Sequence, residues 1–381
     1  MEILIVADDL SGAADAAVPF AARMSTAVAL GETWPDARVV AADTDSRYAP
    51  EHVAVARVAH AVKRGREDGA RIVKKIDSTL RGNVGAEIAA AAGEGVLAVV
   101  APAFPATGRT VVGGIVRVGG EPLPERRHGG DVAALLAEAG LRAERIGLDA
   151  VRGGALDARF AQAARDGVDA VVCDGETDDD LTAVCEALGD GMLLAGSGGV
   201  TAALARTLGP ARPPRIPPPD GPALIVVGSY SETARAQRAK LIADGWTAVT
   251  LAPGETDPAR AVEAVRAAFG AGADVVLSVD PDAPVERDRA LATARSLAAV
   301  TVGAAEKAGV LLATGGETAR AILLEMGAGE LWPVGEPEPG VVAARTKPGA
   351  GTLFITKAGG FGVPETLARV LHAVRNDQGS E

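Results

Sequence analysis

The densest group of chemically competent side chains in this sequence lies between residues 71 and 88. Its first half, Arg-Ile-Val-Lys-Lys-Ile, is typical of a buried strand, and its second half resembles the start of a helix. The turn between them carries Lys75, Asp77, Ser78, Thr79, Arg81 and Asn83. Asp, Ser and Thr also cap helices for purely local reasons, so each residue taken singly has that alternative role. Two cations, a carboxylate and an amide exceed what a turn requires, and as a group they predict a binding site.

More carboxylates follow two other predicted strands of the same half. Asp8 and Asp9 follow the first strand, and Asp43 and Asp45 follow the third. In a parallel sheet these turns share one edge with the turn that holds Asp77. Carboxylates there can accept hydrogen bonds from hydroxyl groups, and a nearby arginine can bind a carboxylate through two hydrogen bonds. The inventory fits a small polyhydroxylated acid, while a helix cap at Asp8–Asp9 remains the local alternative.

The second half of the chain carries three glycine-rich turns, at residues 228–231, 314–318 and 358–362. Each follows a predicted strand and precedes a helix, either directly or after a short connecting segment. Glycine allows close backbone approach to a polyphosphate, and helix N-termini present unpaired N–H groups. The hydroxyls of Ser229, Ser231, Thr314 and Thr318 could add donors or reach a magnesium ion. Neither a Walker A pattern nor a Gly-x-Gly-x-x-Gly fingerprint is present. Three such turns together favour a nucleotide site.

A polyol-acid site combined with a nucleotide site indicates phosphoryl transfer. This chemistry requires positioning of the reactants, neutralisation of phosphate charge and a group that orients the attacking hydroxyl. Asp9, Asp8 and Asp77 are the candidates for that group, and Mg²⁺ would bridge the phosphates of ATP. Two alternatives stay open: a nicotinamide-dependent sugar-acid dehydrogenase, which ordinarily carries a dinucleotide fingerprint, and a sugar-acid-binding sensor without catalysis.

Composition excludes several other functions. A net charge of −12 argues against nucleic-acid and anionic-membrane partners, because both require a basic surface. Cys173 and Cys185 lack metal-ligand spacing and are predicted to be small core residues, so no protein metal site is expected. The chain opens on an apolar strand without a leader or membrane segment, which predicts a cytoplasmic protein. The oligomeric state is left open, with a homodimer as the working expectation.

The elements that must position these residues form two α/β domains. Aromatic residues make up only 3% of the chain, so its cores must consist mainly of aliphatic residues, as in buried parallel strands covered by helices. Strands and helices alternate through residues 1–208, interrupted by a β excursion at 111–118. Residues 209–221 are proline-rich and predict an extended linker, after which alternation restarts in 222–381. The predicted fold is therefore two doubly wound domains with mostly parallel sheets and an inter-domain cleft.

Several of these segments resemble the four-carbon acid sugar kinases, which phosphorylate threonate, erythronate or 3-oxo-tetronate with ATP at the terminal hydroxyl. The matching segments occur in family order at residues 5–13, 75–83, 101–105, 108–110, 196–199, 227–231 with Thr233 and Gln237, 315–319 and 357–362. Three positions depart from the usual family residues, namely Tyr230, Ala358 and Gly360.

The resemblance implies an N-terminal sugar-acid-binding domain and a C-terminal ATP-binding domain. The residues expected around the acid are Asp8, Asp9, Lys75, Asp77, Ser78, Arg81 and Asn83. Those expected around ATP are Ser229, Ser231, Gly315, Gly316, Glu317, Thr318, Gly359 and Gly360.

Overall fold

The computed structural model describes residues 1–212, 216, 218–252, 258–280, 290–347 and 350–376. The chain divides into two compact units, Met1–Arg212 and Pro213–Glu381. This division lies within the predicted linker, part of which is outside the described residues.

The first unit contains an eight-stranded parallel sheet, in the order β2-β3-β1-β4-β11-β5-β10-β9. Its strands are β1 (Ile3–Ala7), β2 (Thr26–Ala29), β3 (Val39–Asp43), β4 (Arg71–Lys75), β5 (Ala98–Ala101), β9 (Ala143–Ile146), β10 (Ala170–Cys173) and β11 (Leu193–Gly196). Its helices are α1 (Leu10–Ala21), α2 (Glu51–Glu67), α3 (Val84–Ala92), α4 (Val132–Glu138), α5 (Leu148–Arg152), α6 (Leu156–Arg165), α7 (Asp178–Glu186) and α8 (Gly198–Thr207).

The central strands of this sheet are buried on both faces. Every residue of β1 and β3 is buried, as continuous apolar runs in a parallel sheet predict. Cys173 and Cys185 are buried thiols, which confirms their predicted core position.

A small antiparallel sheet confirms the predicted β excursion, although it is longer than the prediction. It consists of β6 (Arg109–Val112), β7 (Ile115–Val118) and β8 (Glu121–Pro122). The tight turn between β6 and β7 is held by Asp174, whose carboxylate accepts hydrogen bonds from the N–H groups of Gly113 and Gly114 at 2.7 and 2.8 Å.

The second unit contains a seven-stranded mixed sheet, in the order β13-β14-β12-β15-β18-β17-β16. Its strands are β12 (Ala223–Val227), β13 (Thr247–Leu251), β14 (Val275–Val279), β15 (Val310–Thr314), β16 (Glu330–Glu338), β17 (Val341–Lys347) and β18 (Ala350–Lys357). Its helices are α9 (Glu232–Ala243), α10 (Ala259–Gly270), α11 (Ala290–Ala304), α12 (Gly316–Glu325) and α13 (Thr366–Asn376). The first five strands in spatial order are parallel, and β17 and β16 are antiparallel additions.

Both units are α/β with mostly parallel sheets, which confirms the predicted fold class. The cleft between domains stays a prediction. Strand β16 was missed, because Pro333, Gly335 and Pro337 interrupt the alternation that marks a strand. Among the described helices, none combines the length and apolarity that a membrane crossing requires.

Candidate functional site

The register of the first unit's sheet brings the predicted acid-binding turns to one edge. Ala7 of β1 is level with Asp43 on one side and Lys75 on the other, and Lys75 is level with Gly196. The chain leaves β1 towards β2 on one side and β4 towards β5 on the other. Such a switch point in an open parallel sheet is where ligands bind, outside the carboxyl ends of the strands.

The centre of this edge is Arg47, a residue that the sequence reasoning did not select. Its side chain is only 8% exposed. Its guanidinium donates two hydrogen bonds to Asp8, at 2.7 and 2.8 Å, and one to Asp9 at 2.5 Å. A third carboxylate, that of Asp77, lies 3.7 Å from Nη2. The only sequence signal was its place at the end of the Asp-Thr-Asp-Ser-Arg run after β3, which does not reveal its partners.

Asp8 and Asp9 respond differently to this shared cation. Burial opposes the ionisation of Asp8, but Arg47 outweighs burial and lowers the pKa of that carboxyl. Burial raises the pKa of Asp9; Arg47 opposes this shift, and the negative charge of Asp8 adds to it. Asp9 is also the N-cap of α1, accepting a hydrogen bond from the Gly12 N–H at 2.8 Å. The capping role weighed for this pair is therefore present together with the ion pair.

Asp77 organises the turn that follows β4. Its Oδ2 accepts hydrogen bonds from the Thr79 hydroxyl at 2.7 Å, the Thr79 N–H at 3.1 Å and the Arg81 Nε–H at 3.0 Å. Its Oδ1 accepts from Arg81 Nη2 at 2.6 Å. Burial opposes ionisation, but Arg47 and Arg81 hold the pKa of Asp77 well below its usual range. Asp77 therefore anchors Arg81 through two charge-assisted hydrogen bonds.

The remaining predicted residues of this turn have different surroundings. Asn83 donates to the carbonyls of Ser46 and Ala49, at 3.2 and 3.0 Å, and so joins the turn to the Arg47 segment. Ser78 is 5% exposed. Leu80 adopts a left-handed backbone at φ 61°, an uncommon conformation for a branched residue. The backbone of this turn is therefore held in one particular conformation, which a simple connection between strand and helix would not require.

Lys75 lies beside the Arg47 cluster and faces a further carboxylate, Asp15 of α1. The Lys75 ammonium donates to the Ile76 carbonyl at 3.0 Å and lies 3.9 Å from Asp15 Oδ2. Gly12 makes room for this grouping, since a Cβ there would lie 2.7 Å from Asp9 Oδ1 and 3.3 Å from Lys75 Nζ. Burial raises the pKa of Asp15 to about 6; Lys75 lowers it and Asp9 raises it.

A buried ion pair lies next to the candidate acid site and connects the elements that form it. Lys74, which is fully buried, lies 2.8 Å from Glu87 of α3, and Glu87 accepts a hydrogen bond from the Ser46 hydroxyl at 2.6 Å. These residues tie β4 and α3 to the segment that presents Arg47. Sequence reasoning missed both charges; the signal was a second lysine, next to Lys75, in a strand predicted to be buried.

In the second unit, the three predicted glycine-rich turns meet at the carboxyl ends of β12, β15 and β18. A Cβ on Gly228 would overlap the Thr318 side chain, and a Cβ on Gly359 would overlap Ser229. Gly315, at φ 93°, lies against Ser229 and precedes α12. Only glycine permits the close approaches at Gly228 and Gly359, so the three turns lie against one another.

Hydroxyl groups hold these turns in place. Ser231 caps α9 by accepting from the Ala234 N–H at 3.1 Å, and its hydroxyl donates to the Gly359 carbonyl at 2.7 Å. Ser229 Oγ lies 3.2 Å from Ser231 Oγ. Thr318 is buried, whereas Glu317 is exposed on the first turn of α12. Gly316 begins that helix, and Gly360 has open space where a side chain would project.

Lys357 lies beneath the third turn, and sequence reasoning gave it no role of its own. Its fully buried ammonium donates to the carbonyls of Ala358 and Phe361, both at 2.8 Å. Burial lowers the pKa of Lys357 to about 7. Gln237 of α9 donates to the carbonyls of Phe361 and Val363, both at 3.0 Å. The carbonyls of this turn therefore point inward.

Comparison with known proteins gives the class to which this arrangement belongs. Residues 3–204 match the family profile of a sugar-binding N-terminal domain, and residues 224–367 match that of a nucleotide-binding C-terminal domain. A D-threonate kinase from Cupriavidus necator is 40% identical over 400 residues, covering 96% of this chain and 96% of that protein. A 3-oxo-tetronate kinase from the same organism is 29% identical over 415 residues, covering 96% of this chain and 95% of that protein.

The crystal structure of Haemophilus influenzae protein HI1011 shares the fold. It superposes with a TM-score of 0.74 at 22% identity, covering 98% of this chain and all of that one. Fold, paired domains and relatives together define a carbohydrate kinase. The chain belongs to the family of four-carbon acid sugar kinases, and the resemblance read from its motifs is confirmed.

Proposed function

We propose that this protein uses ATP to phosphorylate the terminal hydroxyl of a four-carbon sugar acid, with D-threonate as the first candidate. The observation that carries the proposal is the convergence of Arg81, Lys75 and the carboxylates at the switch point of the first unit. The greater identity to a D-threonate kinase than to a 3-oxo-tetronate kinase supports the choice of acid.

Arg81 is the best placed group for the carboxylate of the substrate. Asp77 fixes its Nε and Nη2, and its side chain remains 35% exposed. A guanidinium held in this way loses little conformational entropy when it binds a ligand. Lys75, with one N–H used by Ile76, supplies a second positive charge. Asp9 and Asp8 are candidates to accept hydrogen bonds from the hydroxyls.

The glycine-rich turns of the second unit are the candidate ATP site. The carbonyls of Ala358 and Phe361 accept hydrogen bonds from Lys357, and that of Phe361 also from Gln237, so a phosphate would be bound by the N–H groups of Gly359 and Gly360. The N-terminus of α12, which begins at Gly316 without a side-chain cap, would favour negative charge as well.

Mg²⁺ is part of the proposal through the chemistry of ATP. Within the described ranges, no three acidic, His or Cys side chains form a metal-binding group. The hydroxyl of Ser229, half-buried between the turns, is a candidate oxygen ligand for Mg²⁺; phosphate and water would supply most other ligands. When bound, the ion neutralises phosphate charge.

The test is an ADP-release assay with ATP, Mg²⁺ and each of threonate, erythronate and 3-oxo-tetronate at millimolar concentration. We expect turnover with at least one acid, and ³¹P NMR of the product should show a phosphate monoester at the terminal carbon. Erythritol, which lacks the carboxylate, is the matched control and should give ADP no faster than ATP alone. Absence of turnover with every acid would overturn the proposal.

The nicotinamide-dependent alternative receives no support. Neither the turn after β12 nor that after β15 carries the dinucleotide fingerprint, and the family is one of kinases.

A further inference from the structure

Asp15 is a carboxylate near the carboxyl ends of β1 and β4 to which the sequence analysis assigned no role. It lies in the second turn of α1, and its Oδ2 is 3.9 Å from the ammonium of Lys75, longer than a hydrogen bond. A Cβ added to Gly198 would overlap this oxygen, so the carboxylate also lies against the start of α8. Its side chain is 11% exposed, compared with 4% for Asp8, 6% for Asp77 and 18% for Asp9.

The three carboxylates predicted for catalysis are already occupied. Both oxygens of Asp8 accept hydrogen bonds from Arg47. Asp9 uses one oxygen for Arg47 and the other for the Gly12 N–H. Asp77 is occupied by Thr79 and Arg81, as described above. Protonation of any of these groups would weaken its charge-assisted hydrogen bonds to arginine.

Asp15 differs from these three carboxylates in its partners. Among the described residues, none donates a hydrogen bond to its carboxylate, and Lys75 is its only ion-pair partner there. Burial holds the pKa of Asp15 at about 6, with Lys75 lowering it and Asp9 raising it. A carboxylate with this pKa is ionised at neutral pH, and its pKa is closer to the working pH than that of an ordinary aspartate. This is the condition that favours a general base.

We propose that Asp15 is a catalytic residue that accepts the proton of the attacking hydroxyl. This inference rests on the proposed kinase function. The O–H bond of the acid's terminal hydroxyl breaks, and its proton goes to an Asp15 oxygen. The hydroxyl oxygen bonds to the γ-phosphorus of ATP while the bond from that phosphorus to the β,γ-bridging oxygen breaks, releasing ADP. Lys75 is a positioning residue that keeps Asp15 ionised, and Asp15 later releases its proton to water.

The experiment compares wild type with Asp15→Asn and Asp15→Glu, using whichever acid the wild type turns over. Asparagine keeps the shape and can hold a hydroxyl but cannot take its proton, so we expect kcat to fall by about 10²- to 10⁴-fold. The KM values for acid and ATP should change by less than about threefold, because ground-state contacts remain. Asp15→Glu restores a carboxylate and should recover part of the lost kcat.

The pH profile separates proton acceptance from a structural role. Only the ionised carboxylate accepts a proton, so wild-type kcat should fall as pH decreases through about 6. Asp15→Glu should retain an acid limb, and Asp15→Asn should lack it. The control variant is Asp157→Asn, on the exposed first turn of α6, which should match wild type in kcat and profile.

Two failures can be told apart. If the wild type turns over no four-carbon acid, the proposed function is wrong. If the wild type is active and Asp15→Asn retains kcat within about threefold, or retains the acid limb, Asp15 is not the proton acceptor and this inference alone is wrong. If Asp15→Asn does not fold, an Asp15→Glu enzyme with wild-type kcat but no acid limb would overturn it equally.

Discussion

At the residue scale, Arg47 determines which carboxylates of the candidate acid site are available. A guanidinium that is nearly fully buried must be paired, and here it is paired with Asp8 and Asp9 and lies close to Asp77. Removing it would leave buried carboxylates without compensation, so its first effect is on the structure of the site. The residues with capacity for a ligand lie around it: Arg81, Lys75 and Asp15.

Substitution of Arg81 by alanine tests recognition of the carboxylate. Loss of a charge-assisted contact of about 1.5–3 kcal/mol should raise KM for the acid by about 10- to 100-fold. KM for ATP should stay within about threefold, because Arg81 lies in the first unit and the candidate ATP site lies in the second. Steady-state kinetics with each substrate varied in turn measure both values. Arg38→Ala, which removes an exposed pair with Glu2 at the opposite end of β3, is the control. An equal rise in both KM values would contradict the assignment.

At the element scale, the candidate ATP site depends on how closely three turns approach one another. Strands β12, β15 and β18 place residues 228–231, 314–318 and 358–362 at one end of a sheet, where Gly228 touches Thr318 and Gly359 touches Ser229. The glycines in these turn sequences predicted that the backbone could approach other groups closely. The contacts between turns required the strand order. In it β15 lies between β12 and β18, although β13 and β14 separate β12 from β15 along the chain, and β16 and β17 separate β15 from β18.

Gly228→Ala is expected to destabilise the protein and weaken ATP binding. The added methyl group would overlap the Thr318 side chain, and overpacking of this kind costs about 1–3 kcal/mol in the free energy of unfolding. Chemical denaturation and calorimetric titration with an ATP analogue would measure the two effects. Gly270→Ala is the control, since Gly270 ends α10 with no atom within 4 Å of an added Cβ. Equal stability of the two variants would show that the turns do not pack in this way.

At the scale of the whole molecule, the two units offer different chemical groups to their ligands. The first concentrates charged side chains at its switch point, whereas the second presents glycine and hydroxyl groups. Each ligand should therefore stabilise the chain independently. Whether the two sites face a common cleft stays a prediction from sequence, as does a homodimer.

Ligand-dependent thermal unfolding tests this division and the kinase assignment together. At a hundred times its dissociation constant, a ligand stabilises by about 2.7 kcal/mol, which corresponds to a rise in Tm of roughly 5–11 °C for a unit of about 150–250 residues. We expect such rises with ATP and with the accepted acid, measured separately by differential scanning fluorimetry. NAD⁺ is the control and should have no effect. A shift with NAD⁺ but not with ATP would favour the dehydrogenase.

The sequence by itself determined where strands end, which turns are polar or glycine-rich, and the family. These are local properties: apolar runs form buried parallel strands, and capping and turn residues mark their ends. Thus the turns around Asp8, Asp77, Ser229 and Gly315 were located correctly. Strand β16 was missed because its prolines and glycine hide a pairing that only its neighbour β17 reveals.

Only the tertiary structure decided which charges are partnered. Arg47 binds Asp8 across 39 residues, Lys74 pairs with Glu87, and Asp15 lies beside Lys75 across 60 residues. These contacts depend on strand order and register, which sequence patterns do not specify. The same pattern of carboxylates is compatible with any of them being available for chemistry. Arginine side chains donate hydrogen bonds to Asp8, Asp9 and Asp77, whereas none of the described residues donates one to Asp15.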